Sequence, residues 1–226
     1  MSDKKYFLAA SLICADPVNI ERAVRELEGA GIDYLHFDVM DGLFVPRYGL
    51  YPELLKKIKT ITKLPTEVHL MVANPEPYLE IFAKAGADII SVHPEGNNHL
   101  HRTISLIKEL GVKAGLVINP ATPLNCLDYI IAELDLVMLM AINPGIVGHG
   151  LIPGALNKID DLKRKLADNP EIIIEIDGGV TQESSADMIK RGAKMLVCGS
   201  STIFKASEKI TDKVNELRAV IDSQIS

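Results

Sequence analysis

The strongest constraint on this chain is a regular alternation of short strand patterns with longer amphipathic helix patterns. Eight runs of β-branched and aliphatic residues have the composition of buried strands: Phe7–Ile13, Tyr34–Val39, Thr66–Met71, Ile89–His93, Lys113–Ile118, Leu136–Met140, Ile172–Ile176 and Met195–Cys198. Helix patterns begin near Asn19, Pro52, Pro75, Leu100, Leu124, Gly154, Glu183 and Ser207. Such alternation predicts a parallel sheet, and eight βα units in 226 residues predict a single (β/α)8 TIM-barrel domain over residues 1–226.

An internal repeat supports the barrel. The segments GAGIDYLHFD, KAGADIISVH, ELGVKAGLVI and RGAKMLVCG each place a glycine where a helix ends and a strand soon follows. We expect Gly31, Gly86, Gly111 and Gly192 to adopt the left-handed conformation that closes a helix. The period of roughly 28 residues is the size of one βα unit. An open doubly wound sheet is the alternative, but it usually carries a glycine fingerprint after its first strand, and the segment SLICADP has none.

Composition limits the classes of partner. The chain has 24 Lys and Arg residues against 30 Asp and Glu residues, a net charge of −6, which argues against nucleic-acid binding but leaves room for a local site for one small anion. No apolar run approaches the roughly 20 residues that span a bilayer, so no membrane partner is expected. The three cysteines, Cys14, Cys126 and Cys198, are far apart and odd in number. They predict free thiols in a reducing compartment, and we expect a cytoplasmic protein.

Polar residues gather where the predicted strands end. His36 and Asp38 close the second strand, His69 closes the third, and Asp177 follows the seventh. In (β/α)8 barrels the active groups come from the carboxyl ends of the strands, and residues two apart share a face. Any one of these side chains alone is more often simply hydrogen-bonded or solvated. Together, two imidazoles and two carboxylates predict a site for one divalent ion, Zn²⁺, Fe²⁺, Mn²⁺ or Co²⁺, among which the sequence does not choose.

The two carboxylates also suggest a reaction. The second and seventh strands stand on different sides of an eight-stranded barrel, so Asp38 and Asp177 are placed to flank a substrate. Stereochemical inversion through a planar carbanion needs one group that removes a proton and another that returns a proton to the opposite face. The metal would stabilise the enediolate oxygens. These two aspartates are therefore the candidate catalytic residues.

Other residues are expected around the mouth of the barrel. Met40, Met71 and Met140 each lie at or just beyond a strand end, where they either fill the core or form a wall of low dielectric constant. The loops NPGIVGHG, DGGV and GSS follow strands six, seven and eight, and glycine-rich loops there predict a phosphate cradle of backbone N–H groups.

The remaining histidines are expected to be less central. We expect His93, His99 and His101 to mark a solvated helix start, and His149 to line the substrate pocket.

Several segments resemble one known family. HFDVMDGLFVP, EVHLMV, AGADIISVHPE, KAGLVINPATP and EIDGGV are similar to segments of the ribulose-phosphate 3-epimerases, and the resemblance runs from SLICAD to GSSTIF. It implies a TIM barrel that interconverts D-ribulose 5-phosphate and D-xylulose 5-phosphate, with one divalent metal and two aspartates. It also implies a phosphorylated ketose as the partner and a homo-oligomeric state.

The resemblance assigns roles residue by residue. It makes His36, Asp38, His69 and Asp177 the metal ligands, with Asp38 and Asp177 as the acid–base pair. Ser11 and His69 become substrate contacts, and Met40, Met71 and Met140 become the pocket wall. The implied phosphate site consists of backbone groups of Gly145, Ile146, Val147, Gly148, Gly178, Gly179, Gly199 and Ser200.

Two departures from the family pattern leave the substrate open. The family run FVPNxTxG is FVPRYGLYP here, which introduces Arg47, and the family loop NPGFGGQ is NPGIVGHG, which introduces Ile146, Val147 and His149. Arg47 and His149 are therefore possible specificity residues. The alternatives are an epimerase of another ketose phosphate, such as allulose 6-phosphate, and a non-catalytic sugar-phosphate binding protein on the same barrel. A decarboxylase or aldolase is disfavoured because neither Lys113 nor Lys194 lies at the carboxyl end of its strand.

Overall fold

In the computed structural model, which describes residues 4–146, 150–206 and 208–225, eight parallel strands close into a barrel in sequence order. The strands are β1 Phe7–Ser11, β2 Tyr34–Met40, β3 Thr66–Met71, β4 Ile89–Val92, β5 Lys113–Ile118, β6 Leu136–Met140, β7 Ile173–Asp177 and β8 Met195–Cys198. The predicted (β/α)8 class is confirmed. The extent of the domain over residues 1–226 stays a prediction.

Some predicted strand boundaries were wrong. The first strand ends at Ser11 rather than Ile13, because Leu12–Cys14 form a 3-10 turn that carries the chain over the barrel rim. The fourth strand ends at Val92, and β7 begins at Ile173 and extends to Asp177. Strand β2 likewise extends to Met40.

The helices pack around the barrel. They are α1 Ile20–Gly29, α2 Pro52–Ile58, α3 Glu76–Ala85, α4 Leu100–Glu109, α5 Ala155–Lys165, α6 Gln182–Arg191 and α7 Ile210–Ile225. Positive φ angles of 77°, 106°, 77° and 126° at Gly31, Gly86, Gly111 and Gly192 match the expected glycine positions at helix ends. None of the helices in the described ranges combines the length and the apolar character needed to cross a bilayer.

The helix predicted from Leu124 is wrong. Two short 3-10 segments, Leu124–Leu127 and Ile131–Glu133, connect β5 to β6 instead. Apolar residues recur here every three residues, at Leu124, Leu127 and Ile130, which matches the three residues per turn of a 3-10 helix.

Lys158 on α5 supports this irregular connection. Its Nζ donates hydrogen bonds to the backbone carbonyls of Asn119, Pro120 and Thr122 at 2.7, 3.1 and 2.6 Å. These bonds satisfy carbonyl groups of the loop that precedes the first 3-10 segment.

The core has two parts, and the strand register decides what each contains. Outward-facing side chains such as Leu35 and Phe37 pack against the helices, whereas Ala9, Val117 and Met138 pack inside the barrel. The interior also holds polar side chains, because Glu67, Ser91 and Glu175 are all fully buried. The polar layer lies directly below the predicted site.

Candidate active site

Strand register brings the four predicted donors together at the top of the barrel. Asp38 on β2 lies opposite His69 on β3 in the ladder. The nearest oxygen of Asp38 is 3.2 Å from His36 Nε2 and 3.4 Å from His69 Nδ1. Asp177, at the end of β7, places its Oδ2 3.7 Å from His69 Nδ1 and 4.0 Å from His36 Nε2.

The donor set fits a divalent cation. One ligand atom from each of the four side chains lies within 4.8 Å of the others. Ligands held at about 2.1 Å from a tetrahedral ion are separated from one another by about 3.4 Å, close to the distances found here. Buried His69 Nδ1 makes no hydrogen bond within the described residues, as a nitrogen kept for a metal would. Nitrogen and carboxylate donors suit Zn²⁺, Fe²⁺, Mn²⁺ and Co²⁺ alike.

A pair of buried carboxyl groups lies beneath these donors, and sequence analysis missed it. Glu67 precedes His69 by two residues and Glu175 precedes Asp177 by two. Glu67 Oε2 is 2.9 Å from His36 Nδ1, and its Oε1 accepts a hydrogen bond of 2.5 Å from Ser91 Oγ. The sequence spacing could have revealed this pair, because residues two apart on a strand point to the same face, so Glu67 and Glu175 share the inward face of His69 and Asp177.

Burial and the charges of neighbouring groups set the ionisation of this layer. Burial and the nearby Glu67 carboxylate raise the pKa of Glu175 well above its ordinary value. Burial opposes the charged form of Glu67 too, but the positive charge of His36 outweighs it and lowers the pKa of Glu67. Neither oxygen of Glu175 finds a donor among the described residues. Glu67 is therefore the carboxylate and Glu175 the neutral acid of this pair.

The two candidate catalytic carboxyls differ in the same way. Burial disfavours the charge of Asp38, but the charge and hydrogen bond of the adjacent His36 outweigh burial and hold the pKa of Asp38 well below the usual range. Burial and the charge of Asp38 together raise the pKa of Asp177, although His36 opposes the shift. Environments that separate the pKa values of two carboxyls favour one acid and one base.

The prediction for His93 was wrong. Rather than starting a solvated helix it is buried, and its Nε2 lies 2.9 Å from Nε2 of His69. Burial lowers the pKa of His93 to about 4. Nδ1 of His93 is 3.3 Å from Glu95 Oε2. Partial burial opposes the charge of Glu95, but hydrogen bonds from His93 and Thr122 lower the pKa of Glu95 to about 2. By contrast, His99 and His101 are exposed, as expected.

A cavity of about 510 Å³ opens above the donors. Its walls include all three predicted methionines, Met40, Met71 and Met140. Ser11 also lines it and donates a hydrogen bond of 2.7 Å from Oγ to Asp38 Oδ2. Arg47 is the only lysine or arginine among the described residues that line this cavity.

Glycine-bearing loops form the far side of the cavity. Gly145, Ile146, Gly178, Gly179, Gly199 and Ser200 all line it. Val147, Gly148 and His149 lie outside the described residues.

The turn after β7 requires glycine. Gly178 and Gly179 have φ angles of 84° and 66°. A Cβ on Gly178 would lie 2.3 Å from Cγ1 of Ile142. Ser201 Oγ donates to the carbonyl of Val180 at 2.6 Å, which ties the loop after β8 to the loop after β7.

Relatives identify the family. Residues 7–204 match the model of the Ribulose-phosphate 3 epimerase family. The chain belongs to this family. Ribulose-phosphate 3-epimerase from Bacillus subtilis is 44% identical over 214 residues, 93% of this chain and 97% of the relative. The Escherichia coli K12 enzyme of the same name is 38% identical over 224 residues, 98% of this chain and 100% of the relative. This epimerase is thus an isomerase that acts on carbohydrates, and the enzyme name implies the pentose phosphate pathway.

Solved structures with remote sequences share the fold. A crystal structure of KGPDC from Streptococcus mutans has a TM-score of 0.78 at 10% identity, covering 99% of this chain and 100% of that one. N-(5'-phosphoribosyl)anthranilate isomerase from Pyrococcus furiosus has a TM-score of 0.67 at 19% identity, covering 96% of this chain and 99% of that one. At these identities the likeness concerns the barrel alone.

The buried acid pair generates a stability prediction. Glu67→Gln removes the carboxylate that accepts from His36 and Ser91, so it should cost about 1.5–3 kcal/mol of unfolding free energy, whereas Glu175→Gln should cost less than about 1 kcal/mol. Folded Glu175 keeps its proton above pH ~4.3, where an unfolded glutamate loses it, so this group contributes stability that declines as pH rises. Glu175→Gln should remove that decline.

Urea unfolding of the metal-free chain at pH 5 and pH 8 measures both effects. Equal losses for the two variants, or an unchanged pH slope in Glu175→Gln, would contradict the assignment of the charge to Glu67.

Proposed function

We propose that this epimerase is metal-dependent and interconverts D-ribulose 5-phosphate and D-xylulose 5-phosphate. The observation that carries the proposal is the position of Asp38 and Asp177. Their carboxylates come from β2 and β7, with β8 and β1 between those strands, and both line the floor of one cavity. A ketose held between them has one carboxyl group for each face of its C3 carbon.

Four side chains would hold the metal through His36 Nε2, Asp38 Oδ1, His69 Nδ1 and Asp177 Oδ2. A bound divalent ion supplies positive charge next to substrate oxygens that become negative during the reaction. The family resemblance and the donor set support this assignment.

The chain's own groups move the protons. One aspartate takes the proton from C3 as the C3–H bond breaks, and the electron pair passes into an enediolate of the substrate. The other aspartate, protonated, returns a proton to the opposite face of C3 as the electron pair comes back. The Ser11 hydroxyl holds Asp38 Oδ2 in position. Ser11 and His69 are also the proposed substrate contacts.

The rest of the cavity would bind and shield the substrate. Backbone N–H groups of Gly145, Ile146, Gly178, Gly179, Gly199 and Ser200, all of which line the cavity, are the proposed phosphate site, together with those of Val147 and Gly148, which lie outside the described residues. The wall of Met40, Met71 and Met140 excludes water and strengthens electrostatic interactions at the reacting carbon. We further propose that the enzyme is a cytoplasmic homo-oligomer. The resemblance supports the oligomer, and three free cysteines support the reducing compartment.

Metal removal tests the dependence on a cation. Treatment with a strong chelator should abolish epimerisation while circular dichroism shows the fold retained, and one of Zn²⁺, Mn²⁺, Co²⁺ or Fe²⁺ should restore it. Full activity in protein shown by elemental analysis to be metal-free would overturn the proposal. Binding of ribulose 5-phosphate without exchange of its C3 hydrogen, with every one of these metals, would identify a non-catalytic binding protein instead.

Single aspartate variants test the two-face mechanism. Asp38→Asn and Asp177→Asn should each lower turnover by about 10²–10⁴-fold, because each removes the proton carrier for one face. In D₂O, one variant should still exchange the C3 hydrogen of one epimer without inverting it. Metal content is measured for each variant, and Asp168→Asn, on the exposed surface, controls for loss of charge. Near-normal turnover in metal-replete Asp177→Asn would refute the mechanism.

Arg47 favours one alternative substrate. As the only described cation on the cavity wall, it would pair with a phosphate at a position that the family's usual asparagine does not serve. We therefore keep a longer ketose phosphate, such as allulose 6-phosphate, as the second candidate.

The test is kcat/KM for four-, five- and six-carbon ketose phosphates. If Arg47 selects a longer substrate, the wild type should prefer a six-carbon sugar, and Arg47→Asn should shift preference toward ribulose 5-phosphate. Arg22→Asn, exposed on α1, is the matched control. A wild-type preference for ribulose 5-phosphate at about 10⁴ M⁻¹s⁻¹ or better, unchanged in Arg47→Asn, would leave ribulose 5-phosphate as the substrate.

A further inference from the structure

The geometry points to His93 and Glu95 as positioning residues that hold His69 in the one tautomer able to bind a metal. This inference rests on the proposed metal site, and it assigns a role to two residues that lie outside the donor set. The three side chains form a line from the cavity floor to the loop after β4: His69 Nε2 to His93 Nε2 at 2.9 Å, then His93 Nδ1 to Glu95 Oε2 at 3.3 Å.

The first contact requires a shared proton. Two imidazole nitrogens 2.9 Å apart form a hydrogen bond only when one carries the hydrogen and the other accepts it. Both rings are buried, so water does not substitute for the missing partner. The ring of Phe44 packs on His93 with 4.8 Å between ring centroids, which holds His93 in this position.

The metal-facing side decides the direction of that bond. His69 Nδ1 faces Asp38 and Asp177 at 3.4 and 3.7 Å and must be unprotonated to bind a cation. The ring hydrogen of neutral His69 is then on Nε2, so His93 Nε2 is the acceptor. The hydrogen of His93 is consequently on Nδ1, where Glu95 accepts it. The two ring hydrogens therefore lie on His69 Nε2 and on His93 Nδ1.

The loop after β5 fixes the far end. Glu95 Oε1 accepts the backbone N–H of Asn119 at 3.2 Å and the hydroxyl of Thr122. A backbone N–H only donates, so the group facing it must be an acceptor. This leaves Oε2 of the same carboxylate for His93.

His36 provides an internal comparison. Its Nδ1 contacts the Glu67 carboxylate directly at 2.9 Å, which leaves Nε2 for the metal. A carboxylate that fixes the tautomer of a metal-binding histidine is a common arrangement. For His69 the same result is achieved through one additional imidazole.

Glu95→Gln is the sharpest variant, because the chain determines how a glutamine must sit. The Asn119 N–H requires the amide oxygen, so the amide NH₂ faces His93 Nδ1 and donates to it. His93 then carries its hydrogen on Nε2, and His69 must place its own hydrogen on Nδ1. The substitution keeps the shape of the side chain and reverses both tautomers.

The experiment uses the full chain labelled with ¹⁵N and stripped of metal. Long-range ¹H–¹⁵N spectra report the tautomer of each histidine, and competition with a chelator reports the dissociation constant for Zn²⁺. We expect wild-type His69 as the Nε2–H form and Glu95→Gln as the Nδ1–H form. The Zn²⁺ dissociation constant of the variant should rise about 10–100-fold.

Variants at His93 separate hydrogen bonding from packing. His93→Phe keeps an aromatic ring but offers no acceptor, so it should weaken Zn²⁺ binding. His93→Gln places an amide oxygen near the position of Nε2 and should bind Zn²⁺ more tightly than His93→Phe. His101→Gln, exposed on α4, should match the wild type in both measurements.

The outcomes distinguish this inference from the proposed function. If Zn²⁺ binds the wild type and Glu95→Gln equally well and the His69 tautomer does not change, the positioning role is wrong and the metal site stands. If the wild type and a His69→Ala variant bind Zn²⁺ equally, the metal site itself is wrong. If His93→Phe fails to fold, the positioning role is still tested by the comparison of the wild type with Glu95→Gln, because Glu95 is partly exposed and its substitution leaves the core intact.

Discussion

The buried hydrogen bond between His36 Nδ1 and Glu67 Oε2, 2.9 Å long, is the contact on which the upper half of the barrel depends. An isolated carboxylate is costly to bury, and Glu67 is fully buried. The bond gives Glu67 a charged partner and points the other ring nitrogen, Nε2, toward Asp38. This one contact therefore offsets the cost of burying the Glu67 carboxylate and orients His36 Nε2 toward the cavity. Burial and the charge on Glu67 raise the pKa of the neighbouring Glu175 well above its ordinary value.

The barrel brings these groups together because parallel strands end on the same rim. Donors from β2, β3 and β7 meet although they are far apart in sequence, and the second layer comes from positions two residues earlier on β3 and β7. Because the same alternation sets both layers, a donor and the group below it on one strand lie on the same face. The closed sheet keeps the layers at fixed separation, which is what a preorganised site requires.

The surroundings of the donors are apolar on one side and made of backbone on the other. Three methionines line the wall, and the loops after β6, β7 and β8 present glycines with little side chain between their amides and the cavity. Arg47 is the only lysine or arginine among the described residues that line the cavity. The chain therefore combines the four candidate donors with an arginine on the cavity wall, and the proposed choice between substrates depends on that arginine.

Local sequence patterns were sufficient for the barrel class, for the positions of most elements and for the expectation that the four candidate donors lie at one rim, because alternation with period two and glycine at helix ends are properties of short segments. Contacts between segments were decided by the tertiary structure. His93 looked like the start of a solvated helix, yet the register of β3 against β4 places it on His69, and the loop after β5 reaches across to Glu95. The segment from Leu124 looked helical but forms 3-10 turns, and Lys158 on α5 anchors the loop just before it through three carbonyl bonds. The partners of His93, of Glu95 and of this loop are distant in sequence, and a short window carries no information about a distant partner.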